Sequence, residues 1–486
     1  VQFTAVKALW RRDICHRVPP DFGQSEPMIE TAPRQAGPQA PAQLTTTRGA
    51  ALYIGALLGP GLLLLPGLAV AAAGPASLLA WVALLVLSAL FAVVFAVFGL
   101  RFPSAGGVIG YVTAGLGARA GLVAGWSFLA GVVTGAPVVC LIGASYVTEL
   151  TGGGRLTRAG VAALLLLVLL ALARGGLRTS AVAQLVLVGL LVGVVAVAVA
   201  GTAGSVRAAN WTPFAPHGWF AVARAAAILM LSFVGWEAVA PLTTAFRDPA
   251  RQLTRVVAIA LAVTSAVYLG LAVVTIGVLG PGAATIVPLA DLLQRAIGPA
   301  GTAAAAAAAV VLTLGSVNAY INGGAVMARH LTRRPEPASG AGTTGDAGQE
   351  RPAPRFLAAI AVSGLLLITL YGFGVVNPAS LVAIPTTLFL AVYLGGMVSA
   401  VRVLRGPARW AAVPATAAVA VMLACCGWAL ALPALVAVVV IGRPSRASRP
   451  PGQSRQRAEL SSRHHQIADA QQRRHRPPAR GGQLQQ

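Results

Sequence analysis

One acidic side chain stands apart in this sequence. Of 13 Asp and Glu residues, only Glu237 lies well inside an apolar run; the others fall in terminal stretches, connecting segments or run ends. A carboxylate at the centre of a bilayer costs at least about 2.5 kcal/mol. A carboxyl held there can carry a proton or couple protonation to a conformational step. The plainer alternative is a carboxyl that hydrogen-bonds freed backbone and shapes the chain. No Lys or Arg lies inside a run to pair with it, and Arg224 is close to an end.

Two interruptions of the apolar runs carry the rest of the chemistry. The first run reads Gly55-Ala56-Leu57-Leu58-Gly59-Pro60-Gly61-Leu62 and continues to Pro66. Pro60 lacks an amide hydrogen and clashes with the preceding turn, and the flanking glycines weaken the helix further. Unpaired N–H and C=O groups at that depth must face protein or a watery cavity, because lipid cannot satisfy them. The amides opening the second half-helix favour an anion such as a carboxylate; a kink packed against neighbours is the alternative. The sixth run, Leu231-Ser232-Phe233-Val234-Gly235-Trp236-Glu237, is interrupted the same way by Gly235 and Pro241. Broken segments at corresponding places in two halves mark a transporter with inverted repeats and a midplane site.

The elements that position these groups follow from composition. Hydrophobic residues make up 57% of the 486 and charged residues 10%, too few charges to cover a water-soluble surface. This excludes a soluble enzyme, a disordered chain and a disulfide scaffold. An all-α polytopic membrane protein is expected. Twelve apolar segments run at about 49–73, 76–100, 119–147, 157–173, 178–201, 219–246, 253–280, 300–328, 355–373, 378–401, 409–427 and 428–442. With the N-terminus in the cytoplasm, Arg clusters at 101 and 119, 174 and 178, 247–255, 329–355 and 402–409 all face inward. Arg155, Arg158, Arg207 and Arg295 face outward. This alternation predicts N-in, C-in topology and places the net charge of +23 in loops and tails rather than on a nucleic-acid surface. Residues 1–48 and 443–486 are polar and Pro- or Arg/Gln-rich and read as disordered cytoplasmic tails, with Met28 an alternative start to Val1. Neither a metal knuckle nor a cofactor motif appears around Cys15, Cys140, Cys425 or Cys426.

The motifs resemble those of the amino acid–polyamine–organocation superfamily of permeases over about residues 49–442. Gly59-Pro60-Gly61 sits where that family has a Gly-Ser/Thr-Gly break. Phe102-Pro103-Ser104-Ala105-Gly106-Gly107 with Tyr111 is similar to its loop after span 2. Phe233-Val234-Gly235-Trp236-Glu237-Ala238 and the stretch from Phe246 to Arg255 are similar to its sixth span and following loop. Within the superfamily the wording resembles bacterial neutral amino-acid permeases, including the methionine and branched-chain exporter branch. The resemblance implies a five-plus-five inverted-repeat fold with two extra C-terminal helices and alternating access in the cytoplasmic membrane. The substrate carboxylate falls on amides at Gly59, Gly61 and Leu62, and its amino group on the carbonyls of Leu57 and Val234. Gly235 is part of the sixth-span break. Side-chain contacts map to Leu231 or Phe233 and to Tyr320, with Glu237 a proton-coupling candidate. Pro60 departs from the family by removing a hydroxyl and an amide, and a span-5 lysine found in some relatives is absent.

No second intramembrane charge is available for a charged substrate side chain, which would be costly unpaired. Val133, Thr134, Ala136, Asn318 and Tyr320 suit a neutral, apolar amino acid. A membrane enzyme would need a nucleophile–base pair, and a channel would need rows of polar groups; the spans offer neither. No Gly-x-x-x-x-Gly-Lys loop for ATP is present. A membrane sensor that binds an amino acid without moving it stays open, as do uptake, export and exchange. Among smaller features, Gly106-Gly107 reads as a re-entrant turn or a plain loop. The run from Ala303 to Ala309 reads as close helix packing. Trp81, Trp126, Trp211, Trp219 and Trp410 read as interfacial anchors.

Overall fold

The computed structural model describes residues 45–59, 61–102, 107–176, 181–239, 246, 248–332 and 352–442. Both expected tails beyond these limits, Met28, Pro60, Pro103 to Gly106, Pro241, Arg247 and most of the 329–355 loop lie outside the described residues. A second unit, Ile441–Gln486, has only its first two residues described.

Helices fill the apolar segments. They are α1 (Thr46–Leu57), α2 (Gly61–Ala73), α3 (Ser77–Arg101), α4 (Val108–Leu116), α5 (Ala118–Thr151), α6 (Arg155–Arg174), α7 (Ala181–Thr202) and α8 (Phe220–Leu229). There follow α9 (Trp236–Val239), α10 (Pro249–Val274), α11 (Pro288–Ile297), α12 (Pro299–Thr332), α13 (Pro354–Gly372), α14 (Pro378–Val403), α15 (Pro407–Ala424) and α16 (Ala431–Gly442). Among the described residues, nine helical runs are long and apolar enough to cross a membrane, and shorter apolar helices cover Phe220–Phe233 and Gly427–Gly442. The chain is an all-α, multi-pass membrane protein.

Lipid gives helices no hydrophobic reason to associate, so contact rests on close packing and buried hydrogen bonds. The long helix α5 packs against α4, α6, α12, α13 and α14. Gly143 lets α12 approach it: a Cβ there would meet Thr313 Oγ1 at 2.6 Å. In the alanine run of α12, Ala305, Ala306, Ala308 and Ala309 are buried, whereas Ala303 and Ala307 face outward. Pro137, inside α5, supplies no N–H for the carbonyl one turn back. That carbonyl, of Val133, accepts instead from the Ser363 hydroxyl of α13 at 3.0 Å.

The tryptophans divide by exposure. Trp219 and Trp410 are 67% and 76% exposed, as interfacial anchors are. Trp81 is not an anchor. It is 1% exposed and packs on Tyr268 and Phe233, with ring centroids 5.1 and 6.0 Å away. Its place near the start of α3 looks peripheral in the sequence; packing of α3 on α10 buries it.

Candidate functional site

The first break leaves α1 ending at Leu57 and α2 beginning at Gly61. Leu58 departs from the helix (φ −80°, ψ 71°) and its N–H closes the last turn onto Ile54 O. The Gly59 N–H bonds Leu57 O at 2.9 Å, and the Leu62 N–H turns back to Gly59 O at 3.2 Å.

In the sixth segment, α8 tightens to a 3₁₀ turn over Met230–Phe233 and then extends at Val234 (φ −71°, ψ 133°). Gly235 has φ +148°, a conformation L side chains rarely adopt. It also lies against the first segment: a Cβ there would sit 2.5 Å from Ala56 O and 2.8 Å from Ala56 C. The two breaks therefore cross at backbone contact.

Three tyrosines and one carboxyl satisfy the freed backbone. The Tyr268 hydroxyl, from α10, lies 2.6 Å from both Leu57 O and Ser232 O and so ties the two breaks together. The Tyr320 hydroxyl, from α12, donates to Val234 O at 3.4 Å. The Tyr393 hydroxyl, from α14, accepts from the N–H groups of Gly235 and Trp236 at 3.1 and 3.2 Å. It donates to Glu237 Oε2 in a short hydrogen bond. Glu237 Oε2 also accepts from the Gly235 N–H at 3.0 Å, while Glu237 Oε1 is buried and has no hydrogen-bond partner among the described residues.

A cavity opens beside the crossing. Of the residues singled out in the sequence, Leu57, Gly59, Gly61, Leu231, Val234 and Tyr320 line it. Leu62 and Phe233 are 0% and 1% exposed and, like Gly235, are packed beside it. Glu237, 4% exposed, lies beneath the break and reaches it through Gly235 and Tyr393. On α5 the lining comes from Gly131, Val132, Gly135, Ala136 and Val139, so Ala136 takes part while Val133 and Thr134 do not. Phe389 of α14 closes another side, and Ser316 and Val317 join Tyr320 from α12.

Sequence reasoning missed Tyr268, Tyr393, Ser232 and Phe389. For the tyrosines a signal existed, since a phenol inside an apolar run must find a hydrogen-bond partner. Their partners were not legible, being 36 to 211 residues away along the chain.

The sequence profile of the amino acid permease family matches residues 44–336, which includes both breaks and the tyrosines of α10 and α12. The chain belongs to this family. The permease is similar to the uncharacterized amino acid permease YecA of Bacillus subtilis, 31% identical over 403 residues, covering 82% of this chain and 95% of that protein. It is also similar to the L-methionine/branched-chain amino acid exporter YjeH of Escherichia coli, 34% identical over 241 residues, covering 48% of this chain and 56% of that protein. A third relative is the branched-chain amino acid permease BcaP of Bacillus subtilis, 26% identical over 247 residues, covering 47% and 53%. The permease is thus a multi-pass membrane transporter and not an enzyme, and amino acids are the substrate class of its family.

Proposed function

We propose that this permease is a secondary active transporter for a neutral, apolar amino acid, working by alternating access in the cytoplasmic membrane with both termini on the cytoplasmic side. The observation that carries this reading is the crossing of the two broken segments at a cavity with polar backbone on one side and apolar side chains on the other. The α2 N-terminus at Gly61 offers an amide and positive helix-dipole end to a carboxylate. The Val234 carbonyl, bound at 3.4 Å by Tyr320, is an acceptor for an ammonium; the Leu57 carbonyl, which already receives the Gly59 N–H, can be a second when the Tyr268 hydroxyl donates to Ser232 O instead. The remaining walls, Val132, Val139, Leu231, Val317 and Phe389, suit an aliphatic or thioether side chain. The methionine and branched-chain substrates in the names of two relatives agree with such a wall.

Glu237 adds a proton site. One oxygen is held by two donors, and Oε1 is the atom at which a proton can be gained or lost. Because Oε2 caps the backbone of the break, a change of charge there alters the hydrogen bonds that hold α9 to the crossing. On this reading the two broken segments open the two halves of the five-plus-five repeat that the family resemblance implies.

Flux into proteoliposomes tests the reading. Labelled leucine, methionine and valine are expected to move and to compete with one another, with rates that respond to a pH gradient. Lysine and glutamate are expected not to compete. Transport of a charged amino acid in preference to leucine and methionine overturns the substrate class.

A further inference from the structure

We infer that the Ser232 hydroxyl is a donor to the carboxylate of the bound amino acid, acting beside the Gly61 amide at the N-terminus of α2. The inference rests on the amino-acid reading above and adds a residue that the motif does not supply.

Ser232 is 1% exposed, and its Oγ makes no hydrogen bond of ordinary geometry among the described residues, its one polar neighbour there being the Tyr268 hydroxyl, which is already engaged by the Leu57 and Ser232 carbonyls. That is unusual for a serine in a helical turn, whose hydroxyl ordinarily bonds a carbonyl one turn back. Its position is fixed, because its own carbonyl is held by Tyr268 at 2.6 Å. The hydroxyl faces the start of α2: a Cβ built on Gly61 would lie 3.0 Å from Ser232 Oγ. Gly61 itself lines the cavity, as do Leu231 and Val234 on either side of the serine.

The donor count at this helix start makes the hydroxyl matter. Pro60 has no amide hydrogen, and the Leu62 N–H is turned onto Gly59 O at 3.2 Å. An ionised carboxylate presents two oxygens with about four acceptor sites, so few donors remain to meet it. A hydroxyl next to Gly61 supplies one more, as a charge-assisted bond. The turn that carries the hydroxyl is already held by Tyr268, so little reorganisation accompanies binding.

The test uses the full-length permease in detergent or nanodiscs, with L-leucine and L-leucinamide as probes. In Ser232→Ala the melting temperature without ligand stays the same or rises, because no hydrogen bond is lost. Affinity for leucine falls roughly 10- to 100-fold, the range for a bond to a charged group, whereas affinity for the uncharged leucinamide falls roughly 2- to 10-fold. Ser232→Cys, which keeps the shape and weakens the donor, falls between. Unchanged leucine affinity, or equal losses for the two probes, overturns the donor assignment while leaving the amino-acid reading intact. A clear fall in the melting temperature of unliganded Ser232→Ala also overturns it. A wild-type protein that binds neither leucine nor methionine overturns both readings together.

Discussion

Replacing Tyr268 by Phe removes a single oxygen from the crossing and little else. The ring stays, with its neighbours Phe233 and Trp81 at 5.0 and 5.1 Å, so the packing contribution is held constant. The hydroxyl has one hydrogen and two acceptors at 2.6 Å. Leu57 O keeps a bond from the Gly59 N–H at 2.9 Å, so the group left without its partner is Ser232 O. An unsatisfied buried carbonyl costs about 1–3 kcal/mol, and that is the expected loss of stability, read as a downward shift of the thermal or denaturant midpoint. Transport is expected to fall further than stability alone explains, because the hydroxyl also fixes where the Leu57 carbonyl and the Ser232 turn stand relative to each other. Tyr268→Leu, which loses the ring contacts as well, is expected to be worse on both measures. Tyr268→Phe with wild-type stability and wild-type flux would refute the bridging role. Loss of flux at full stability would instead assign the hydroxyl to the substrate.

Gly235→Ala puts a methyl against the Ala56 backbone at 2.5 Å in a left-handed conformation; strain and overpacking together are expected to cost about 2–5 kcal/mol. Because the clash is with backbone, Ala56→Gly should not rescue the yield or melting temperature of that variant. Glu237→Gln can keep an acceptor for the Gly235 N–H and Tyr393 O–H but cannot exchange a proton, so it should insert and fold while flux loses its response to a pH gradient. Asp291, on the α11 connection, has its carboxyl raised above the usual range by burial and then by the Glu149 charge, against opposing effects of Thr285 and Arg295. The folded protein therefore holds this proton at a pH where the unfolded chain has lost it, so Asp291 lowers stability as pH rises from the ordinary carboxylate range through the raised value. Asp291→Asn should raise the melting temperature at pH 7 and flatten its pH dependence over that window; a lower melting temperature at pH 7 would mean that the Arg295 attraction dominates.

Residue types along the chain determined where helices form and where they stop. The apolar runs demand helices because lipid leaves backbone groups no other partner, and Gly59-Pro60-Gly61 and Gly235 interrupt two of them by local chemistry alone. Glu237 was legible as well, since an acid deep in an apolar run is conspicuous whatever surrounds it. Tertiary structure alone decided how the breaks are used. It brought Tyr268, Tyr320 and Tyr393 to the freed carbonyls and amides, set Gly235 against Ala56, and turned Leu62 and Phe233 into packing while Gly131, Gly135 and Phe389 became cavity wall. It also moved Trp81 from an apparent membrane anchor to the core. The physical reason is one of range. Helix breaking depends on φ, ψ and the amide of a few adjacent residues, so it is written locally. Satisfying a broken backbone inside a membrane requires partners from other helices, and neither periodicity nor spacing records which helices will stand beside it.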